Sequence, residues 1–196
     1  MHIIKKINLL FCLSVLVFVS GCKSLAIKEI QLRNSPFVVD GKVFDKLFSF
    51  RDVNGNRVVE IVSGDETRND WTKLVTVRSQ SLPLLDNDPV NAAQKMLKLA
   101  KIIDKNAIGA VIENEDKTDT VVDFFVVLYK KEYMEYTVIR YIQNRYKNGL
   151  ISLQFSKRMK LTEFNTKADL HDLRKSWMHQ ITSIDMKEAG SYVGEL

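Results

Sequence analysis

The sequence predicts an α+β fold: a mostly antiparallel sheet of about six or seven strands with two helices packed on it, in the order βββαββββα, after an N-terminal signal segment. Three observations predict it. Short runs rich in β-branched and aromatic residues recur between turn signals at 43–62, 71–79 and 107–159. Two stretches, near 88–103 and 166–184, switch to helical spacing of their apolar residues. The strands come in groups of three and four rather than alternating singly with helices, which disfavours a parallel sheet.

The first element is "MHIIKKINLLFCLSVLVFVSGC". Lys5 and Lys6 form a short positive region, Ile7 to Val19 is apolar apart from Asn8 and Ser14, and Ser20 and Gly21 are small. That is the layout of a secretory signal. The apolar run is too short to span a bilayer comfortably, which takes roughly 17–25 residues. Its end, Val19-Ser20-Gly21-Cys22, resembles the lipobox of bacterial lipoproteins. The resemblance implies lipidation of the Cys22 sulfur, removal of residues 1–21, and acylation of the new amino terminus. Two or more acyl chains make attachment stable at about 0.8 kcal/mol per buried methylene. Lys23, in place of Asp, implies an outer-membrane lipoprotein facing the periplasm rather than one kept at the inner membrane.

Removing Lys5 and Lys6, with no acid, lowers the formal charge from +5 to +3. Such a mild excess argues against a nucleic-acid partner. The two cysteines are Cys12, which leaves with the signal, and Cys22, which carries lipid. The mature chain then has no cysteine nucleophile, disulfide or Cys-based zinc site.

Residues 22–40 read as a lipid-anchored tether with an edge strand in "IKEIQL". The single domain is expected over 41–186. "VFDKLFSFRDVNGNRVVEIVSG" is a hairpin turning at Asn54-Gly55, with Phe44, Phe48 and Phe50 on one face of its first strand. Trp71 to Ser79 is the third strand. Asp88 caps the first helix, Pro89 suits its first position, and Ala93, Met96, Leu97, Ala100 and Ile103 face a core. Four strands follow. Val121 to Tyr129 is almost continuously apolar, as in a central strand buried on both faces. Ile151, Leu153 and Phe155 alternate with polar residues, as in a strand with one wet face. Thr166 opens the last helix, whose stripe is Leu170, Leu173, Trp177, Ile181 and Ile184. Residues 187–196 read as a flexible tail. This order, with "ETRNDWTKLVTV" before the first helix, resembles the PsbP-like α/β/α sandwich domains, modules used for binding and assembly.

No catalytic set converges. His171 and His179 are eight residues apart, not the adjacent-turn spacing of two ligands on one helix face. GxSxG and a phosphate-cradling glycine loop are absent. Glu115, Asp116 and Asp119 lie in "NEDKTD", which reads as a solvated turn. No catalytic residue, metal or cofactor is therefore expected.

The densest unusual feature is "YKKEYMEYTVIRYIQNRYKNG", which holds five of the six tyrosines with basic residues between them. Parity puts Met134, Tyr136, Val138, Arg140 and Ile142 on a core face, and Tyr133, Glu135, Thr137, Tyr141, Gln143 and Arg145 on a wet one. Arg140 on the core face demands an acidic partner or a bulge. Three functions follow as expectations. The first is a non-enzymatic, lipid-anchored envelope protein acting as an interaction or assembly module, with an envelope protein partner. The second is a small-ligand or glycan binder with Tyr133, Tyr141 and Arg145 lining a groove. The third, ranked last, is a hydrolase built on scattered carboxylates.

Overall fold

A computed structural model describes residues 27–194, apart from 34, 36, 65, 129–132, 145–147 and 164–166. Cys22, Arg145 and the expected cap Thr166 lie outside the described residues. The elements are β1 (Lys28–Gln31), β2 (Val38–Val39), β3 (Lys42–Val43), β4 (Lys46–Arg51), β5 (Arg57–Val62), β6 (Lys73–Gln80), α1 (Pro89–Ile103), β7 (Ile108–Glu113), β8 (Asp119–Leu128), β9 (Tyr133–Asn144), β10 (Gly149–Lys160), α2 (Lys167–Ser183) and α3 (Met186–Ser191).

The fold is α+β, as expected, with a mostly antiparallel sheet and two main helices packed on it. The sheet has eight strands rather than six or seven, in the order β1-β4-β5-β6-β10-β9-β8-β7. The strand beyond the seven of the expected order is β1, the edge strand read in "IKEIQL", which pairs Lys28–Gln31 with Lys46–Ser49. Two antiparallel meanders, β4-β5-β6 and β7-β8-β9-β10, meet where β10 pairs with β6. Helix α1 carries the chain from β6, in the middle of the sheet, to β7 at the far edge. It starts as the sequence predicts: the Asp88 carboxylate accepts from Asn91 N at 2.7 Å, and Pro89 opens the helix.

Because side chains alternate across a strand, the sheet carries two cores. On the first face, Leu47, Val59, Ile61, Val75, Val77, Tyr136, Val138, Leu153 and Phe155 pack beneath α2 and α3, with Trp177 and Ile181 buried among them. On the second face, Val122, Phe124, Ile139 and Tyr141 pack beneath α1. Helices therefore lie on both sides of the sheet.

The ends of the domain differ from the expected boundaries. Phe37 and Val39 are buried in the first core, so the stretch read as tether contributes to the domain. The turn between β2 and β3 puts Asp40 (φ 50°) and Gly41 (φ 72°) in the left-handed region, the signature of a two-residue hairpin. At the other end, Met186, Ala189 and Val193 are buried in the same core, so the segment read as a flexible tail forms α3 and packs. Its apolar residues are too few and too closely spaced to show a helical stripe, yet each meets the sheet.

Strand β8 is buried on both faces as its apolar run predicts, but it sits next to the edge strand β7, not at the centre. Two helices on opposite sides cover it, which is why it reads like a central strand. The wet face expected for β9 and β10 is also corrected. Glu135, Thr137, Ser152, Gln154 and Ser156 are all buried. Glu135 is covered by Arg158, whose guanidinium lies over the Trp71 ring, and Trp71 packs with Phe48, Val62 and Leu74.

Candidate ligand-binding groove

The second face of the sheet is built in rows, because antiparallel register sets residues opposite one another. One row runs Phe50, Val58, Arg78, Ser152, Tyr141, Thr120 across β4, β5, β6, β10, β9 and β8. The next row runs Phe48, Glu60, Thr76, Gln154, Ile139, Val122. Helix α1 covers the β7–β9 half of this face, and the 63–72 loop covers one corner of the other half. Between them a groove of about 550 Å³ remains open over β4–β6.

Its walls are apolar. Phe50 and Val58 come from the sheet, Ala92, Met96 and Leu99 from α1, and Leu82 and Leu85 from the turn that enters α1. Asn87 fixes that turn: its Oδ1 accepts from Leu82 N at 2.6 Å, and its Nδ2 donates to Asn148 Oδ1 at 3.0 Å. The two lips each expose a large apolar side chain, Leu84 (97% exposed) and Val53 (67%).

Its floor is polar. Glu60 accepts from Arg68 Nε at 2.6 Å, and the Arg68 guanidinium also lies 4.4 Å from the Phe50 ring centre. Burial pushes the Glu60 carboxyl above its ordinary range, while the positive charges of Arg68 and Arg78 oppose that rise. Burial likewise raises the Tyr141 hydroxyl, so it stays a neutral phenol. Farther along the strip the polar groups satisfy one another: Thr137 Oγ1 and Ser156 Oγ are 3.0 Å apart, and Gln154 Nε2 donates to Ser156 Oγ at 2.8 Å. Three groups on these rows differ: Thr76 Oγ1, Thr120 Oγ1 and Arg78 Nε are each buried with no hydrogen-bond partner among the described residues, and of the three residues Arg78 lines the groove. A buried guanidinium N–H left unmet costs about 1–3 kcal/mol or more.

A second cavity, of about 640 Å³, lies at the other end, between Ile103, Ile108, Phe125, Met134 and Leu170. Its charged groups are already engaged. Arg174 Nη2 donates to the buried Asp123 at 2.9 Å, and Asp104 accepts from Val127 N at 3.0 Å. Of these two cavities, the groove over β4–β6 is the one lined by a guanidinium with an unmet N–H, and it is therefore the better candidate site.

The residues expected to line a site are not brought together. Tyr141 reaches the groove, but as a buried wall residue with 4% exposure rather than one on a wet face. Tyr133 lies eight residues away on the same strand, about 26 Å at roughly 3.3 Å per residue, and is partly exposed. Arg145 is outside the described residues. The basic group that does face the groove is Arg78, which sequence reasoning missed because "LVTVRSQ" alternates like an ordinary half-exposed strand. The leucines of "SLPLLDNDP", apolar in a turn, were the signal available. His171 and His179 are both exposed on α2, away from the groove, and no group of three His, Cys, Asp or Glu is gathered among the described residues. The "NEDKTD" segment is the β7–β8 hairpin turn. Asn114 Oδ1 accepts from Asp119 N at 3.0 Å within the turn, while the Asp119 carboxylate reaches out of it to Arg140.

Among the described residues no helix is long and apolar enough to cross a membrane. A protein-family model matches residues 34–186, and the chain belongs to that family. No curated protein and no solved structure matches the chain.

Proposed function

We propose that this chain is a lipid-anchored, non-enzymatic protein of the bacterial cell envelope that binds a small ligand in the groove between α1 and strands β4–β6. The observation that carries the reading is Arg78 on the floor of a groove with apolar walls, its Nε without a hydrogen-bond partner among the described residues. Cavities of this size, with apolar walls and a few fixed polar groups, are where small ligands bind. The groove offers binding and orientation rather than turnover. Its floor carboxylate, Glu60, is engaged by Arg68, the rim carboxylate Asp52 accepts from Asn54 and Asn56, and the phenol of Tyr141 stays neutral.

The anchor rests on the resemblance of Val19-Ser20-Gly21-Cys22 to a lipobox. Cys22→Ser is expected to abolish incorporation of labelled palmitate and release from the signal segment. Unchanged processing in that variant would remove the lipoprotein reading. The groove is tested with a neutral fluorescent apolar dye, N-phenyl-1-naphthylamine, titrated against the full chain and against Met96→Trp, which fills the groove. Saturable binding is expected to be lost in the variant. Equal binding in both would remove the groove from the reading.

A second reading, the assembly module with an envelope protein partner, is favoured by a different observation. Strand β7 has β8 on one side and no described strand on the other, and its Ile108 (70%) and Ile112 (52%) are exposed. Such an edge is a template for pairing. Crosslinking in intact cells that joins β7 to another protein would support it, and an Ile108→Lys variant that crosslinks equally would not.

A further inference from the structure

We propose that the ligand of this groove is a single-chain anionic amphiphile, an acyl chain ending in a carboxylate or phosphate, with Arg78 holding the anion and the apolar walls holding the chain. The inference rests on the groove reading above and names its ligand class.

Three observations carry it. The first is charge. Two guanidiniums, Arg68 and Arg78, face one carboxylate, Glu60, which is ion-paired with Arg68. Counting Arg68, which pairs with Glu60 from outside the lining, the floor keeps one positive charge in excess; the half-exposed Arg78 lines the groove, and its Nε has no partner among the described residues. At the rim, Lys95 and Asp52 bring one charge of each sign, so they do not alter that balance. A ligand oxyanion meeting Arg78 would make a charge-assisted bond out of water, the strong kind.

The second is the wall. Phe50, Val58, Leu85, Ala92, Met96 and Leu99 give an apolar trough, and exposed Leu84 and Val53 extend it at the lips. Exposed apolar patches continuous with a groove mark a binding surface.

The third is what the groove does not offer. It lies on the face of the sheet, over strands paired on both sides: β4 with β1 and β5, β5 with β4 and β6, β6 with β5 and β10. Their backbone donors and acceptors are already used in the sheet. A peptide laid here would bury its own main-chain groups unmet, at a cost of about 1–3 kcal/mol each. An acyl chain has no such groups. The same feature sets this groove apart from the free edge at β7, where a peptide could pair.

The test uses the full chain reconstituted in phosphatidylcholine vesicles and three photoreactive probes: palmitic acid, hexadecanol and a monoacyl glycerol phosphate, each with a diazirine in the chain. Crosslinked peptides are mapped after irradiation, and only labelling displaced by excess unlabelled probe is counted. Labelling within 82–99 by palmitate, by the phosphate or by both is expected, with hexadecanol roughly tenfold or more weaker, as a charged bond worth about 1.5–3 kcal/mol implies. Which anion dominates identifies the source. Arg78→Met is expected to bring the anionic probes down to the hexadecanol level, and Arg78→Lys to retain most of the signal. Hexadecanol labelling that is unchanged in Arg78→Met shows that the groove is intact.

Equal labelling by hexadecanol and palmitate in the native chain would overturn the anion while leaving a groove that binds. Competition of palmitate by an apolar peptide with a free carboxylate at equal concentration would overturn the acyl chain. No displaceable labelling of 82–99 by any probe would overturn both this inference and the groove reading.

Discussion

Arg140 on β9 grips Asp119 on β8, with Nη2 2.7 Å from Oδ2, while its Nη1 reaches the carbonyls of Ile181, Thr182 and Ile184 at 3.0–3.3 Å. The last carbonyls of a helix lack intrahelical donors and carry the negative end of its dipole. One guanidinium therefore serves a carboxylate and the end of α2 together. The acidic partner expected for Arg140 is present. The Arg140→Met variant is expected to lose about 2 kcal/mol, because it strands Asp119 and uncaps α2. At this chain length that corresponds to a fall in Tm of about 4–8 °C by differential scanning calorimetry. Arg140→Lys should recover only part of it, since a point charge cannot fork onto both targets.

Asp40 ties the β2–β3 turn to the rest of the domain. Its carboxylate accepts from Trp177 Nε1 at 3.0 Å and pairs with Lys73 at 2.7 Å. Partial burial works to raise its pKa, but Lys73, Trp177 and Gln180 outweigh that and hold it below the usual carboxylate value. A lowered folded pKa means that the stabilisation is present above the unfolded pKa and is lost as pH falls through the folded one. Asp40→Asn should therefore lower Tm by a few degrees at pH 7, the effect being limited because water screens a partly exposed group. The difference between variant and parent should shrink as pH drops below about 4. A gap that stays constant to pH 2.5 would mean that the ion pair does not stabilise the turn.

Gly109 on β7 lets α1 lie close to the sheet. A Cβ there would meet the Asp123 carbonyl oxygen, Phe124 Cβ at 2.8 Å and Leu97 Cδ1 at 2.9 Å. Two of those atoms belong to the neighbouring strand and cannot yield without moving it. Gly109→Ala is expected to cost about 1–3 kcal/mol as overpacking. Hydrogen exchange should quicken in α1 and β7 before it does in β4–β6.

The C-terminal segment can be tested by shortening it. A chain ending at Ser191 loses Val193, which is buried to 1% exposure, the half-buried Tyr192, and the bond from Arg57 to the Val193 carbonyl at 3.2 Å. Burying one such apolar side chain contributes about 1.5–3 kcal/mol. The truncated chain should unfold at distinctly lower urea concentration, with a midpoint shift rather than a change of slope. An unchanged midpoint would restore the flexible-tail reading.

Periodicity made the strands, the two main helices and the Asp88 cap legible, because each buries one face and shows it as a repeat of two or 3.6 residues. It misjudged the second face of β9 and β10. There Ser152, Gln154, Ser156 and Thr137 are polar yet buried. A polar residue that finds its partner across a strand looks the same in sequence as one that finds water. The groove was legible only through Tyr141. Arg78, Met96 and Leu85 come from three elements, and only the register of β6 against β5 and β10 sets Arg78 beneath the others. The packed C-terminal residues were hidden because α3 spans too little of a turn pattern to announce a face.

The seam between β6 and β10 has a consequence for how the chain reaches this state. It joins Leu150 to Gln80 and Lys157 to Lys73, pairs separated by about 70 residues or more. Each meander is local and can close quickly, but the seam must wait for the last strand, and contacts this distant slow folding. Until β10 arrives, β6 presents a bare apolar edge bearing Val75 and Val77, the kind of surface that recruits other chains. A chain made from its amino terminus displays that edge until residues 149–160 follow, about 70 residues after β6.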